Sequence, residues 1–421
     1  YEIYQCDWSS DVCSSDLCII AVSFVPVFAN HMENNGSIPT VKDPSLKIEK
    51  FVENIPHSPT TMTFVGNDIL VLERTGHVGW IKDGKLQKNS TLDLQVASDG
   101  ERGLLGITSV GKKVYLYFTA ADQNGKSIEN RIFSYDWNGT KLINPVLLKT
   151  LPSDNFYHNG GAMANYDGQV YAVIGDNGNY GHTQNRDSPG WKNDTSVILR
   201  IDPPGPHYAM GIRNSFGIAV DPVTGHLWDT ENGDDNFDEI NFVPEKFNSG
   251  WIQIMGPTQN KTLVESLPKY GDFIYKNPEF SWEKTIGPTG IEFGTKQIGQ
   301  EDKVFAVDCN NGNLYRFTLN SNRDGFVFNS PELQDKVLNI GEPSDEILIG
   351  TGFGCATDIE RGPDGLLYIV SLSQGIIYRL SASTSDSALS DMTNTNSYLI
   401  VSILAVIATI SIILLKKFKK L

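Results

Sequence analysis

The chain has 421 residues and a formal net charge of −16. This acidic balance argues against nucleic acid, and against an anionic membrane surface, as the partner of the folded part. With 39 glycines and 20 prolines, the composition suits a chain with many tight turns.

The first 29 residues do not look like part of a fold. Asp7–Leu17 match the translation of a common sequencing-library adapter, so residues 1–17 are interpreted as an assembly artefact. Cys18–Phe28 is an apolar run that leads to a small residue, Ala29. Residues 18–29 are therefore predicted to be the remnant of a secretory signal peptide, with a buried strand as the alternative.

Residues 47–380 repeat one pattern six times. Each unit begins with a short apolar strand, passes through a turn with Gly or Asp, and continues with a second strand rich in β-branched and aromatic residues. The units are Thr61–Lys82, Leu105–Trp137, Gly161–Asp202, Phe216–Val243, Thr289–Leu319 and Thr357–Leu380. A period of roughly 40–60 residues with three or four strands is typical of propeller blades. We therefore predict an all-β, six-bladed β-propeller, because the alternative of two β-sandwiches would need a central linker that the sequence lacks.

The C-terminal part has a different composition. Residues 381–397 are rich in Ser, Thr, Asp and Asn and are predicted to form a solvated stalk. Tyr398–Leu415 is uncharged and about long enough to span a bilayer, and the lysines of residues 416–421 follow it directly. The pattern predicts a C-terminal transmembrane helix with a cytoplasmic basic tail, so that the propeller lies outside at the cell surface. A core helix is the alternative.

Two of the five cysteines fall within the predicted propeller. Cys309 and Cys355 lie in loops of the fifth and sixth units. In an oxidising compartment they would form one disulfide, and otherwise they would be two buried thiols. The sequence leaves both alternatives open.

Polar motifs recur in the middle of the chain. His158-Asn159-Gly160-Gly161 opens the third unit, and Ile174-Gly175-Asp176 follows its second strand. Gly211–Asn241 then contains an Arg-Asn pair, a strand and an acidic glycine loop. With these motifs the chain resembles the glucose/sorbosone dehydrogenase family, whose soluble members are sugar oxidoreductases that use pyrroloquinoline quinone (PQQ).

The resemblance implies a catalytic pair. His158 stands where the family's histidine takes the proton from the sugar's anomeric hydroxyl, a role that suits an imidazole because its ordinary pKa is near neutral. Asp176 matches the acidic residue beside it and would fix its tautomer. Without the resemblance, His158 would be interpreted as a loop histidine and Asp176 as a turn residue.

The resemblance also implies a cofactor site. Arg213 and Asn214 match the family's Arg-Asn pair beside the quinone oxygens, and Glu101 falls where the family contacts the cofactor with Gln or Glu. Gly233 and Asp234 occupy the place where two backbone carbonyls hold Ca²⁺, a hard cation that prefers oxygen ligands. A structural arginine and a solvated acidic loop are the alternatives.

Four positions depart from the family pattern. Asn310 replaces a lysine, Cys355 and Thr357 replace two arginines, and Ala162 replaces the arginine after the glycine pair. The first three changes remove charge-assisted contacts to the anionic cofactor, each worth roughly 1.5–3 kcal/mol.

The resemblance therefore implies a quinoprotein oxidoreductase that converts an aldose to its lactone, and the predicted topology places it outside the cell. The principal alternative is a non-catalytic propeller that binds a glycan or a protein. A Ca²⁺-dependent lactonase-like hydrolase is a third interpretation. The retained His158, Asp176 and Arg213 favour the dehydrogenase, and the missing cations favour the binding protein.

Overall fold

The computed structural model of the chain describes residues 38–178, 180, 194–268 and 271–383. All of them belong to one compact unit, Gly36–Leu421. The predicted artefact, the signal-peptide remnant and the span Tyr398–Leu415 lie outside the described residues.

The described chain contains thirty strands. The first fifteen are β1 (Thr40–Val41), β2 (Leu46–Val52), β3 (Pro59–Val65), β4 (Asp68–Glu73), β5 (His77–Lys82), β6 (Lys85–Leu86), β7 (Leu92–Asp93), β8 (Leu104–Val110), β9 (Lys113–Ala121), β10 (Ser127–Trp137), β11 (Leu142–Leu151), β12 (Met163–Tyr166), β13 (Gln169–Ile174), β14 (Val197–Asp202) and β15 (Ala209–Met210).

The second half continues in the same way. Its strands are β16 (Ser215–Val220), β17 (Leu227–Glu231), β18 (Asn236–Val243), β19 (Phe247–Asn248), β20 (Ile274–Tyr275), β21 (Phe280–Lys284), β22 (Pro288–Phe293), β23 (Lys303–Asp308), β24 (Asn313–Leu319), β25 (Phe326–Val327), β26 (Val337–Leu338), β27 (Leu348–Thr351), β28 (Ala356–Arg361), β29 (Leu367–Ser371) and β30 (Ile376–Ala382). One short helix, α1 (Lys261–Ser266), and two 3₁₀ turns, Lys296–Ile298 and Pro331–Leu333, interrupt them.

The strands form six sheets in an all-β propeller arrangement. Their strand orders are β3-β4-β5-β6 with β7 beside β5, β11-β10-β9-β8, β12-β13-β14-β15-β19-β20, β16-β17-β18-β21-β26, β1-β27-β24-β23-β22 with β25 beside β24, and β2-β30-β29-β28. The last sheet joins both ends of the described chain, because β2 pairs antiparallel with β30. This pairing closes the arrangement without a free edge at β30.

Neighbouring sheets approach each other closely at glycines on their first strands. A Cβ added at Gly106 of β8 would lie 1.7 Å from the carbonyl oxygen of Gly161, and one added at Gly217 of β16 would lie 2.0 Å from that of Thr289. Only glycine allows backbones to come this near. Apolar side chains fill the space between the sheets farther out, including Trp228, Trp282 and Phe293.

Cys309 and Cys355 form a disulfide, which decides between the two alternatives left open by the sequence. Cys309 follows β23 and Cys355 precedes β28, so the bond joins two adjacent sheets.

The predicted fold, a six-bladed β-propeller with a C-terminal transmembrane helix, is wrong as stated. The sheets are unequal, with four to six strands each, and two of them include parallel pairs at β15-β19-β20 and β21-β26. Within residues 38–383, apart from the gaps given above, no helix is long and apolar enough to cross a membrane. Anchoring at the cell surface by a C-terminal helix therefore has no support in the structure.

Candidate functional site

His158 and Asp176 form a buried pair. His158 lies in the loop before β12 and Asp176 follows β13, so the antiparallel pairing of these strands brings the two loops together. The Nδ1 atom of His158 lies 2.7 Å from Oδ1 of Asp176, and the two side chains are 8% and 0% exposed. Such a bond favours the tautomer with hydrogen on Nδ1, in which Nε2 carries the lone pair.

Asp176 has two further hydrogen-bond donors on its second oxygen. The indole Nε1 of Trp251 donates to Oδ2 at 2.9 Å, and the backbone N–H of Tyr180 donates to the same atom at 2.9 Å. Hydrogen bonds to the charged form stabilise a buried carboxylate. Asp176 is thus held in position from two sides.

Glu101 connects the histidine to the predicted cofactor site. Its Oε2 accepts the backbone N–H of His158 at 2.6 Å and the side-chain amide of Asn214 at 3.3 Å. His158 has a φ of 55°, an uncommon value for a residue other than glycine. The bond to Glu101 helps to hold this conformation.

Arg213 lies on the other side of Asp176. Its carbonyl oxygen accepts the backbone N–H of Asp176 at 2.8 Å. Its guanidinium donates to the carbonyl of Asn232 at 2.8 Å, pairs with Asp234 at 3.2 Å, and lies 5.2 Å above the ring of Trp251. These contacts fix the arginine at the site, and the acidic partner offsets part of its charge.

The loop from Gly233 is tied to the next sheet. Asp238 accepts the backbone N–H groups of Gly233 and Gly287, both at 2.8 Å, and also that of Ile286. Burial raises the pKa of Asp238, and these backbone donors oppose the rise. Asp238 therefore sets the position of the loop that carries Asp234.

Three fully buried carboxyl groups lie behind Arg213 on β17 and β18. Burial raises the pKa of Glu231 to about 7, although the backbone N–H of Arg213 and the hydroxyl of Ser249 donate to it. Burial and then the charge of Glu231 raise the pKa of Asp229 and of Glu239 well above their ordinary values. Protonation limits the repulsion among the three.

The structure brings together Glu101, His158, Asp176, Arg213, Asn214 and Asp234. It places Gly233 beside them through its bond to Asp238 rather than through a direct contact with the histidine. Sequence reasoning missed Trp251 and Tyr180. No local motif marked Trp251, because it reaches Asp176 from a loop 75 residues away.

The predicted calcium site has no side-chain cluster around it. In the described part of the chain, no group of three or more His, Cys, Asp or Glu side chains is arranged to hold a metal ion. The carboxylate of Asp234 instead pairs with Arg213 and accepts the hydroxyl of Tyr180. Calcium binding by Gly233 and Asp234 stays a prediction.

The positions that depart from the family pattern are neutral. Cys355 is committed to the disulfide. The side chain of Asn310 lies beside Gly287, and the hydroxyl of Thr357 is buried without a protein partner. Ala162 packs against an apolar cluster.

The fold and the site together define a class of protein. It is an all-β propeller with a buried histidine–carboxylate pair beside an arginine. A family model of glucose/sorbosone dehydrogenases matches residues 56–379. The chain belongs to this family.

Curated relatives and solved structures agree with the family. The chain is 24% identical to quinoprotein glucose dehydrogenase B of Acinetobacter calcoaceticus over 72% of this chain and 70% of the relative. It is 22% identical to the aldose sugar dehydrogenase of Escherichia coli over 78% and 90% of the two chains. The PQQ-bound aldose sugar dehydrogenase of Streptomyces coelicolor has a similar fold, with a TM-score of 0.60 and 23% identity over 81% of this chain and 100% of that one.

Proposed function

We propose that the protein oxidises the anomeric carbon of an aldose and yields the lactone, with PQQ as cofactor. The observation that carries the proposal is the His158–Asp176 pair, buried and held beside Arg213. The family membership and the sugar dehydrogenase activities of the relatives support it.

His158 acts as the general base. Its Nε2 takes the proton of the anomeric hydroxyl while the C1–H bond breaks and the C1–O bond becomes a carbonyl. PQQ, when bound, supplies the two-electron acceptor for the hydride. Asp176 keeps the imidazole in the accepting tautomer and stabilises the imidazolium that forms.

Arg213, Asn214 and Glu101 are the residues that would hold PQQ. The residues present fit a ligand that carries both an anionic group and a hydrogen-bond donor. Arg213 provides a cation at the site, and the buried Oδ1 of Asn214 has no protein partner. A buried acceptor of this kind is normally satisfied by a ligand or by water. The backbone carbonyls of Gly233 and Asp234 would hold Ca²⁺.

A second candidate function is binding without catalysis. It is favoured by the neutral side chains of Asn310, Cys355 and Thr357, where the family carries cations. A protein that binds PQQ weakly would use the propeller as a scaffold for a glycan or protein partner.

The Cys309–Cys355 disulfide supports a site of action outside the cytoplasm, because structural disulfides persist in oxidising compartments. We therefore place the proposed oxidation there.

The test is dye-linked oxidation of D-glucose by protein loaded with PQQ and Ca²⁺, with the lactone identified by mass spectrometry. We expect activity in the wild type and a loss of about 10²–10⁴-fold in His158→Ala. The matched control is His226→Ala, at the end of β17 opposite the site, and it should leave the rate unchanged. Wild-type protein without activity on any aldose would support the binding function instead.

A further inference from the structure

The disulfide lies next to the positions where the family pattern has cations. Cys355 itself stands in place of an arginine, and Asn310, which replaces a lysine, directly follows Cys309. Thr357 lies two positions after Cys355, and its hydroxyl is buried without a protein partner. The covalent bond therefore lies at the part of the predicted cofactor site that lacks positive charge.

The two ends of the bond differ in their surroundings. Cys355 is 7% exposed, its backbone N–H donates to the hydroxyl of Ser373 at 2.8 Å, and its carbonyl oxygen accepts the N–H of Leu372 at 2.9 Å. Cys309 is partly exposed, and Asn310 after it is exposed. The disulfide therefore fastens an exposed loop to a buried segment of the neighbouring sheet.

The loop of Cys309 is hydrogen-bonded to the loop before β22. The backbone N–H of Cys309 donates to the carbonyl oxygen of Gly287 at 3.0 Å. The backbone N–H of Asn310 donates to the carbonyl oxygen of Ile286 at 3.4 Å. A displacement of Cys309 would therefore also displace the loop before β22.

Asp238 on β18 continues this connection to the loop of Gly233 and Asp234. Its Oδ2 accepts both backbone N–H groups of the loop before β22, and its Oδ1 accepts that of Gly233 at 2.8 Å. Asp238 is 0% exposed, so water does not compete for these bonds. Three hydrogen bonds and one disulfide thus form a continuous path across three adjacent sheets. The path ends beside Asp234, the ion-pair partner of Arg213.

Fixed loops matter most at a site with few cations. An anionic ligand with few charge-assisted contacts gains less on binding, so the entropy lost in ordering loops takes a larger share of the affinity. A cross-link between two sheets orders its loop before any ligand arrives. Loops that are already in place reduce the entropy lost on binding.

We propose that the Cys309–Cys355 disulfide positions the cofactor site by fixing the loops of Gly287 and Gly233, and that this fixation compensates for the cations missing at residues 310, 355 and 357. The two cysteines are positioning residues that act through Asp238. This inference rests on the cofactor binding proposed above.

The first experiment measures the two loops without any cofactor. Hydrogen exchange followed by mass spectrometry compares the wild type with Cys309→Ser/Cys355→Ser in peptides that contain Gly233 and Gly287. We expect about 10-fold faster exchange of these amides in the variant, because their loops open more often when the cross-link is absent. Wild type reduced with a phosphine should exchange as the variant does, and it replaces the variant if the latter folds poorly.

Arg323→Ala is the matched control for a loss of stability alone. The guanidinium of Arg323 donates twice to Asp221, at 2.7 Å each, and Asp221 follows β16 at the end of that strand remote from Arg213. The variant should melt at a lower temperature than the wild type. At a temperature well below all melting points, its Gly233 and Gly287 amides should exchange as in the wild type.

The second experiment titrates the same proteins with PQQ in the presence of Ca²⁺ and follows the absorbance of the quinone. We expect the Kd to rise by about 10-fold in the cysteine variant and to stay unchanged in Arg323→Ala. If the exchange result holds while the wild type binds no PQQ, the proposed function fails and the hold of the disulfide on the two loops stands. Exchange in the cysteine variant as slow as in the wild type, or equally fast exchange in Arg323→Ala, would overturn the proposal. A wild type and a cysteine variant that bind PQQ with the same Kd would overturn it as well.

Discussion

Asp176 acts on the chemistry through His158 and does not need to touch the substrate. It bonds to Nδ1 of the imidazole and is itself fixed by the indole of Trp251. An amide at this position would present either an NH₂ group or a carbonyl oxygen to Nδ1, and neither group carries a charge. The imidazolium would then lose its compensating charge.

We expect Asp176→Asn to lower kcat for aldose oxidation by about 10²–10⁴-fold, because both the tautomer and the charge of the histidine depend on this carboxylate. Rates with saturating PQQ measure the effect, and a melting curve checks that the variant is folded. Asp345→Asn, at a side chain that is 88% exposed, is the matched control. A variant that keeps at least half of the activity would remove Asp176 from the mechanism.

At the scale of single residues, only the resemblance to a family predicted that the site residues lie close together. Glu101 and His158 are 57 positions apart, and nothing in their local sequences shows that a carboxylate meets a backbone N–H. The ion pair of Arg213 with Asp234 was also not predicted, since the acidic loop was interpreted as a calcium site.

Among the elements, first strands of adjacent sheets are held at a separation that excludes side chains. Gly217 on β16 meets the carbonyl oxygen of Thr289 on β22, and an added Cβ would be 2.0 Å away. The backbones on both sides would have to move.

Gly217→Ala should therefore destabilise the protein by about 1–3 kcal/mol, the usual cost of overpacking. Urea unfolding followed by tryptophan fluorescence provides the measurement. Gly66→Asn is the control, because its position has a φ of 66° and open space, which asparagine tolerates. Equal midpoints for wild type and Gly217→Ala would show that the two strands separate easily.

Glu73 at the end of β4 predicts a pH dependence of stability. Burial raises its pKa from 4.5 to about 7, the nearby His77 opposes this rise, and its Oε2 has no hydrogen-bond partner. The folded state therefore binds the proton more tightly than the unfolded state. Stability attributable to Glu73 is highest below pH 4.5 and falls as the pH rises to about 7.

Glu73→Gln should remove this fall, which amounts to about 3 kcal/mol for a rise of this size. The difference in unfolding free energy between variant and wild type should be small at pH 4.5 and should increase up to pH 7.5. Asp345→Asn should show no such trend. A constant difference across the pH range would mean that Glu73 ionises in the folded protein as it does in the unfolded chain.

The strands were the most predictable part of the fold. Alternation and β-branched content predicted Val170–Ile174 and Val304–Val307, and the structure has β13 and β23 there. The parallel additions β19, β20 and β26 were missed because two-residue strands carry no periodicity.

For the whole molecule, a strand pairing joins the ends of the described chain, and a disulfide joins two adjacent sheets. β2 pairs with β30, and the Cys309–Cys355 bond ties the sheet of β23 to the sheet of β28. Their separation of 46 residues makes the loop-closure entropy of the unfolded chain large.

The double variant Cys309→Ser/Cys355→Ser should lose about 2–4 kcal/mol of unfolding free energy. A reducing agent should lower the wild-type melting temperature and leave that of the double variant unchanged. Wild type that melts identically with and without reductant would contradict a stabilising role for the bond.

The all-β propeller arrangement could be predicted from the repeat, whereas the inequality of the sheets could not. The additional strands β19, β20 and β26 lie in connecting segments, and their pairing depends on tertiary contacts. An apolar run alone predicted a membrane helix, and the described residues contain none.

Spectroscopic titration of the purified protein with PQQ in the presence of Ca²⁺, followed by addition of glucose or maltose, tests the central claim most directly. The account predicts saturable binding, weakened in Arg213→Ala, and bleaching of the oxidised quinone spectrum by the sugar in the wild type but not in His158→Ala. Absence of PQQ binding by the wild type, or a bound quinone that no aldose reduces, would contradict it.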